Sequence, residues 1–166
     1  MKVSHREQGL RHGDYRQYRQ YCARRLRRLY KTSENFCHKK DLGPGGGNEK
    51  QKHKFEKKPL RGEDGAFLIQ DPSRELLIPL VQSERCWALA NELKDDNLMG
   101  GAMNAAKRAH AKKRLKKACT HAKEFKDACA HFGDAKLKLE SEAYCSYILG
   151  VTDLNDGAKK NYGAVA

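Results

Sequence analysis

Apolar residues recur at spacings of three and four in four stretches of the 166-residue chain, and no stretch shows sustained strand alternation. A helix of 3.6 residues per turn brings such positions onto one side, so the chain is expected to bury helical stripes against one another. Tyr15, Tyr18, Cys22, Leu26 and Leu29 form the first stripe, and Asp14, following the breaker Gly13, is its candidate N-cap. The second begins near Asp71 or Pro72, because proline suits the first helical position, and runs toward Asp96 through Leu76, Leu77, Leu80, Val81, Trp87, Ala90 and Leu93. Pro79 lies inside it and predicts a kink or a later start. The third spans about 103–132 and turns Leu115, Ala118, Cys119, Ala122, Phe125, Cys129 and Phe132 inward. Gly133 ends it and Asp134 caps a fourth, whose expected buried stripe is Leu139, Ala143, Tyr144, Tyr147 and Ile148. Beyond Gly150 the pattern weakens, and Ala158 and Tyr162 are candidates for a fifth helix. The predicted fold class is all-α, a single domain over 1–166 built of antiparallel helical hairpins. It divides into an arginine-rich helix at 14–34, a flexible basic loop at 35–70 and a helical body at 71–166.

The loop assignment rests on "CHKKDLGPGGGNEKQKHKFEKKPLRGEDG", in which Gly, Pro and Lys prevent periodicity. Its "GPGGG" lacks the trailing Gly-Lys-Ser/Thr of a phosphate-cradling loop and reads as a linker.

Charge narrows the functional classes. The net charge is +13, and it is concentrated: residues 1–62 hold 18 Lys/Arg against 6 Asp/Glu, whereas residues 63–166 hold 16 against 15. Within the second part, Lys107 to Lys117 carries seven Lys/Arg and no acid. Two basic blocks on an otherwise neutral or acidic body point to a polyanionic partner. The first helix is the extreme case, since "YRQYRQYCARRLRRLYK" holds six arginines, one lysine and no acid. Arg24, Arg27, Arg28 and Lys31 lie opposite its apolar stripe, with Arg16 beside them. A solvated helical face is usually balanced by acids at i+4, and no Asp or Glu lies between Tyr15 and Ser33. Arginine supplies planar, forked donors for phosphates and guanine edges, and Tyr21, at the edge of the cationic side, is placed to stack on an unpaired base. An anionic membrane also attracts basic amphipathic helices, but an apolar side of Tyr and Cys inserts poorly. Composition leaves DNA and RNA both open.

Other chemistries find little support. Cys119-x-His121 and Cys129-x-His131 place their members about 200° apart on a helix, so neither pair shares one metal ion. No histidine sits in an activating motif, and no acid, base and nucleophile converge, so neither catalysis nor a cofactor is expected. Trp87 reads as core. Six scattered cysteines, five of them in predicted helices, read as reduced and mostly buried thiols. No run approaches about eighteen apolar residues, and "MKVSHREQGL" lacks a signal-like stretch, so a soluble intracellular protein is expected.

"GLRHGDYRQYRQYCARRLRRLYK" at 9–31 resembles the arginine-rich opening of the RNA-binding domain in the 68-kDa subunit family of the eukaryotic signal recognition particle. The resemblance continues, in order, through His53-Lys54-Phe55 with Lys57-Lys58, through "LLIPLVQSERCWALANELK" at 76–94, and from "RLKKACTHAKE" to "DAKLKLESEAYCSYILG" at 134–150. It implies tetratricopeptide-like hairpins and binding of the particle's RNA near a three-way junction, with the arginine-rich helix in a groove opened by an internal loop. By similarity Arg11, Arg16, Arg19, Arg24, Arg25, Arg27, Arg28 and Lys31 carry the contact, with Tyr21. His53, Lys54, Lys57 and Lys58 form a second anchor, and Arg108, Lys112, Lys113 and Lys116, argued mainly from charge, a third. The resemblance further implies assembly of the ribonucleoprotein for co-translational targeting to the endoplasmic reticulum, in the cytoplasm with a nucleolar assembly stage, and the ribosome as a further partner. In that family the 72-kDa partner subunit is engaged through a C-terminal region that this chain lacks, so the chain is expected to be an isolated domain or a reduced relative. The alternative reading is a tetratricopeptide-like adaptor that binds an acidic protein partner.

Overall fold

The computed structural model describes residues 8–33, 36–39, 54–57, 72–98 and 104–157. A short 3-10 turn, Leu10–His12, leads into α1 (Tyr15–Thr32); strands β1 (Phe36–Lys39) and β2 (Lys54–Lys57) follow, then α2 (Pro72–Leu98), α3 (Ala105–Phe132) and α4 (Ala135–Gly157). The body is all-helical, as the apolar periodicity requires.

Each helix packs antiparallel to the one before it. On α1 and α2, Tyr18 meets Glu84 and Arg19 meets Glu92, while Ser33, at the opposite end, meets Glu75. On α2 and α3, Ser83 Oγ donates to the Ala118 carbonyl at 2.9 Å, with Ala90 packed on Leu115 and Ala111 toward one end and Leu76 on Phe125 and Cys129 toward the other. On α3 and α4, Phe125 and Tyr144 make an edge contact at 6.1 Å, and Lys126 pairs with Glu142 at 3.6 Å. So α2 is sandwiched, with α1 on one side and α3 on the other. Tyr18, Cys22 and Leu26 of α1 bury against Ile78, Val81 and Ala88 of α2. Removing Leu26, Ile78 and Val81 from water contributes about 1.5–3 kcal/mol each.

Three expectations change. Residues 35–70 are not loop throughout: β1 and β2 pair antiparallel, with Phe36 opposite Lys57 and Lys39 opposite Lys54. Strands of four residues are too short for alternation to register, and their pairing is non-local. Of the two consequences expected of Pro79, a kink or a later start, the later start does not occur: the second helix begins at Pro72 and continues through Pro79. Proline removes one backbone donor there, and packing on both neighbouring helices outweighs that loss.

The fourth stripe is turned from its expected direction. Tyr144 and Ile148 face inward, but Leu139 and Tyr147 are 69% and 57% exposed and Ala143 is exposed. Ser141, Cys145 and Thr152 are buried in their place. Cys145 packs among the small residues Ala118, Cys119 and Ala122 of α3, Thr152 stands against Cys119 and Ser141 against Cys129; both hydroxyls are satisfied within α4, Ser141 Oγ donating to the Lys138 carbonyl at 2.8 Å and Thr152 Oγ1 to the Ile148 carbonyl at 2.9 Å. Nor does Gly150 interrupt α4, which runs to Gly157. The fifth helix expected from Ala158 lies outside the described residues.

Candidate nucleic-acid interface

The start of α1 is built by two glycines and an aspartate. Gly9 has φ 104°, and a Cβ there would stand 2.7 Å from the Asp14 carbonyl oxygen, so glycine is required. The Gly9 carbonyl accepts from the Asp14 amide at 2.9 Å, and Asp14 Oδ1 accepts from the Gln17 amide at 2.8 Å, capping the helix as predicted. Gly13, at φ 72°, makes the intervening left-handed turn.

With its apolar stripe fixed on α2, α1 presents Arg16, Arg24, Arg27, Arg28 and Lys31 to solvent, and Arg11 is exposed in the preceding turn. Among the described residues none of these six cations has a carboxylate partner. They repel one another and lack internal neutralisation, the condition in which phosphate oxygens bind with release of counterions.

Arg19 departs from this group. Its guanidinium grips Glu92 of α2 in a fork: Nε donates to Oε2, and Nη2 donates to Oε1 at 3.1 Å. The Glu92 carboxylate raises the Arg19 pKa further above its already high value. The absence of acids within α1 therefore does not extend to its tertiary surroundings. Tyr21 and Arg25 are half-buried; Arg25 Nη1 donates to the Tyr21 hydroxyl at 3.1 Å, and the Tyr21 ring lies against Tyr18 with centroids 6.1 Å apart. One face of Tyr21 is thus occupied by protein.

Of the second anchor, Lys54 and Lys57 fall in β2, while His53 and Lys58 lie outside the described residues. Lys112, Lys113 and Lys116 are exposed on α3, turned from Ala111, Leu115 and Ala118, while Arg108 is exposed in the first turn of α3 in line with Leu115. They are not adjacent to the α1 cations, because α2 stands between. One exposed cation that charge counting had not singled out for a binding role is Arg85, which shares the α1-facing stripe of α2 with Val81 and Ala88. A charged residue inside an apolar stripe was its only signal.

Beneath the cationic surface a polar junction braces α1. The buried Tyr18 hydroxyl donates to Glu84 Oε2 at 2.9 Å, and the Tyr144 hydroxyl of α4 is buried beside Glu84 and Ser83 without a hydrogen bond of good geometry. Burial holds the Glu84 carboxyl above the ordinary glutamate range, which the two nearby tyrosine hydroxyls partly oppose, and it pushes both phenols well above theirs. Gln82 Nε2 adds a bond to the Tyr30 hydroxyl at 2.6 Å.

Among the described residues no three His, Cys, Asp or Glu side chains converge as metal ligands, and no helix is long and apolar enough to cross a membrane. The arrangement offers an exposed cationic helix on a fixed support. Against known families, residues 10–162 match the model described as RNA-binding signal recognition particle 68. The chain belongs to that family. Curated relatives in the signal recognition particle 68 family agree along most of its length. It is 33% identical over 151 residues to signal recognition particle subunit SRP68 of Drosophila melanogaster, covering 90% of this chain. The same subunit of Caenorhabditis elegans is 31% identical over 157 residues and that of Dictyostelium discoideum 30% over 152, covering 91% and 84% of the chain. The chain spans only 22%, 23% and 20% of the respective lengths of these relatives.

Proposed function

We propose that this chain is a non-enzymatic RNA-binding module of a signal recognition particle subunit, which binds the particle's RNA near a three-way junction and helps assemble the ribonucleoprotein. The observation that carries this reading is the exposed set Arg16, Arg24, Arg27, Arg28 and Lys31, without carboxylate partners among the described residues, on a helix whose other side is locked to α2. Regular A-form RNA has a groove too narrow and deep for a helix, so the target is a distorted site such as an internal loop beside a junction. Arginine forks clamp phosphates and guanine edges there, and the helical body, stacked in the manner of tetratricopeptide hairpins, supports α1 from behind. Lys54 and Lys57 of the ribbon, with His53 and Lys58, form a second anchor, and the α3 cations a third. Family membership supports the wider role: co-translational targeting to the endoplasmic reticulum from the cytoplasm, with a nucleolar stage of assembly. The 72-kDa subunit would be engaged by a region outside the matched segment, and the ribosome through the assembled particle.

The test is to replace Arg24, Arg27 and Arg28 together by Ala and titrate a junction-containing RNA. At roughly 1–3 kcal/mol for each charged contact, binding weakens by several kcal/mol while helicity and melting temperature hold. Wild-type affinity in that variant would overturn the assignment. Chemical footprinting of the same RNA with and without protein locates the protected junction.

A further inference from the structure

The arginine side of α1 and the basic side of α3 are separated by α2, yet hydrogen bonds place one exposed cation of α2 between them. Gln82 is bonded to Tyr30 of α1 at 2.6 Å and Ser83 to Ala118 of α3 at 2.9 Å. Arg85 follows within one turn of both and is exposed. Lys117, immediately before Ala118, is also exposed. Arg114, one turn earlier and half-buried, donates from its Nε to His110 Nε2 at 3.0 Å. The field of Arg85 reaches the Tyr30 hydroxyl on α1, and the Cys86 thiol feels Arg85, Lys117 and Arg114 together, so all three cations lie within electrostatic reach of one residue of α2. The carboxylates near that side are engaged: Glu92 by Arg19, and Glu124 by His121 at 3.0 Å. Among the described residues no carboxylate pairs with Arg85, Arg114 or Lys117.

We infer that Arg85, Arg114 and Lys117 form a cationic track across the helices, which carries the phosphate backbone of the RNA from the α1 site over α2 onto α3. With packed helices 8–10 Å apart, the step from α1 to α3 is about 20 Å, a distance a continuing RNA strand covers. The three groups contact phosphate only, so they position the RNA and do not read its sequence. The track rests on the RNA-binding reading of α1 and extends it to a surface that the arginine-rich helix does not include.

The experiment uses the full chain with Arg85→Gln, Arg114→Gln and Lys117→Gln combined, replacements that keep helix propensity at accessible positions. Affinity is measured by fluorescence anisotropy between about 50 and 300 mM KCl, using a three-way-junction RNA with an adjacent internal loop and a short hairpin bearing only that loop. Each phosphate contact contributes roughly 0.7–0.9 to the log–log salt slope. For the junction RNA the slope becomes shallower by about two to three and affinity at about 150 mM salt falls at least tenfold. For the hairpin both are unchanged. The charge-preserving variant Arg85→Lys with Arg114→Lys retains the wild-type slope. If the Gln variant, with native circular dichroism and melting, binds the junction RNA as the wild type does, the track is refuted. The Arg24, Arg27 and Arg28 to Ala variant separates the two claims, because it loses both RNAs if α1 is the primary site; retention of both overturns that site and the track with it.

Discussion

Arg19 of α1 and Glu92 of α2 form a two-pronged ion pair between helices, 32% and 17% exposed at their side chains. The pair withdraws one arginine from the cationic face. At this exposure water still screens it, so a double-mutant cycle with Arg19→Ala and Glu92→Ala yields a coupling of about 1 kcal/mol, decreasing with salt. Arg19→Ala lowers RNA affinity less than Arg24→Ala does. Zero coupling, or an equal loss of RNA binding at both positions, would contradict this division of roles.

Glu84 imposes a pH dependence of defined sign. Burial raises its pKa in the folded protein above the ordinary value of 4.5, so the native state keeps that proton to higher pH than the unfolded chain. Below 4.5 both states are protonated and the group is neutral to stability; as pH rises from there through the folded pKa, ionising a buried carboxyl costs stability. Glu84→Gln still accepts from Tyr18 and never ionises. Its stability relative to wild type therefore climbs across that window and then levels off, as measured by chemical denaturation from about pH 4 to 8. A difference that stays constant with pH sinks the assignment.

Gly9→Ala tests the entrance to α1. A side chain at φ 104°, with its Cβ 2.7 Å from the Asp14 carbonyl, costs on the order of 1–3 kcal/mol. The denaturation midpoint falls, and the Asp14 amide, which donates to Gly9, exchanges faster. An unchanged midpoint together with unchanged exchange would show the turn to be dispensable.

How much of this was legible in the chain follows the range of the interaction. The Asp14 cap, the buried trio Tyr18, Cys22 and Leu26, and the boundary at Gly133 and Asp134 depend on residues within a turn or two, and local spacing reveals them. The α4 stripe does not, because α4 carries two apolar arcs and the surface of α3 chooses between them. Ala118, Cys119 and Ala122 admit close packing by Cys145, and Cys119 receives Thr152, leaving the larger Leu139, Tyr147 and Leu154 outside. The same limit applies to the interface. Six arginines in α1 are conspicuous in the string, but that Arg19 is taken by Glu92, 73 residues away, is a tertiary fact. That the charge of Arg85 reaches Tyr30, 55 residues earlier, is another.

The cysteines give a prediction that spans the body of the molecule. Cys22, Cys86, Cys119, Cys129 and Cys145 are free and buried, distributed over all four helices. Burial raises the thiol pKa of Cys22, to about 12, and also those of Cys86, Cys129 and Cys145, while Cys119 Sγ lies 3.0 Å from Thr152 Oγ1 and 3.7 Å from the Ile148 carbonyl. The thiolate is the reactive species, so Cys22, Cys86, Cys129 and Cys145 are doubly protected, by exclusion of the reagent and by a firmly held proton, and Cys119 is protected by its burial. A disulfide-exchange reagent such as Ellman's at pH 8 therefore labels at most one of the six cysteines of the native protein quickly, and all six in denaturant. The slow labelling of the other five tracks global opening, and its rate rises in parallel with the loss of stability in Gly9→Ala. Rapid reaction of two or more thiols in the folded protein would mean that the helices separate locally, and the rigid support assigned to α1 would be lost.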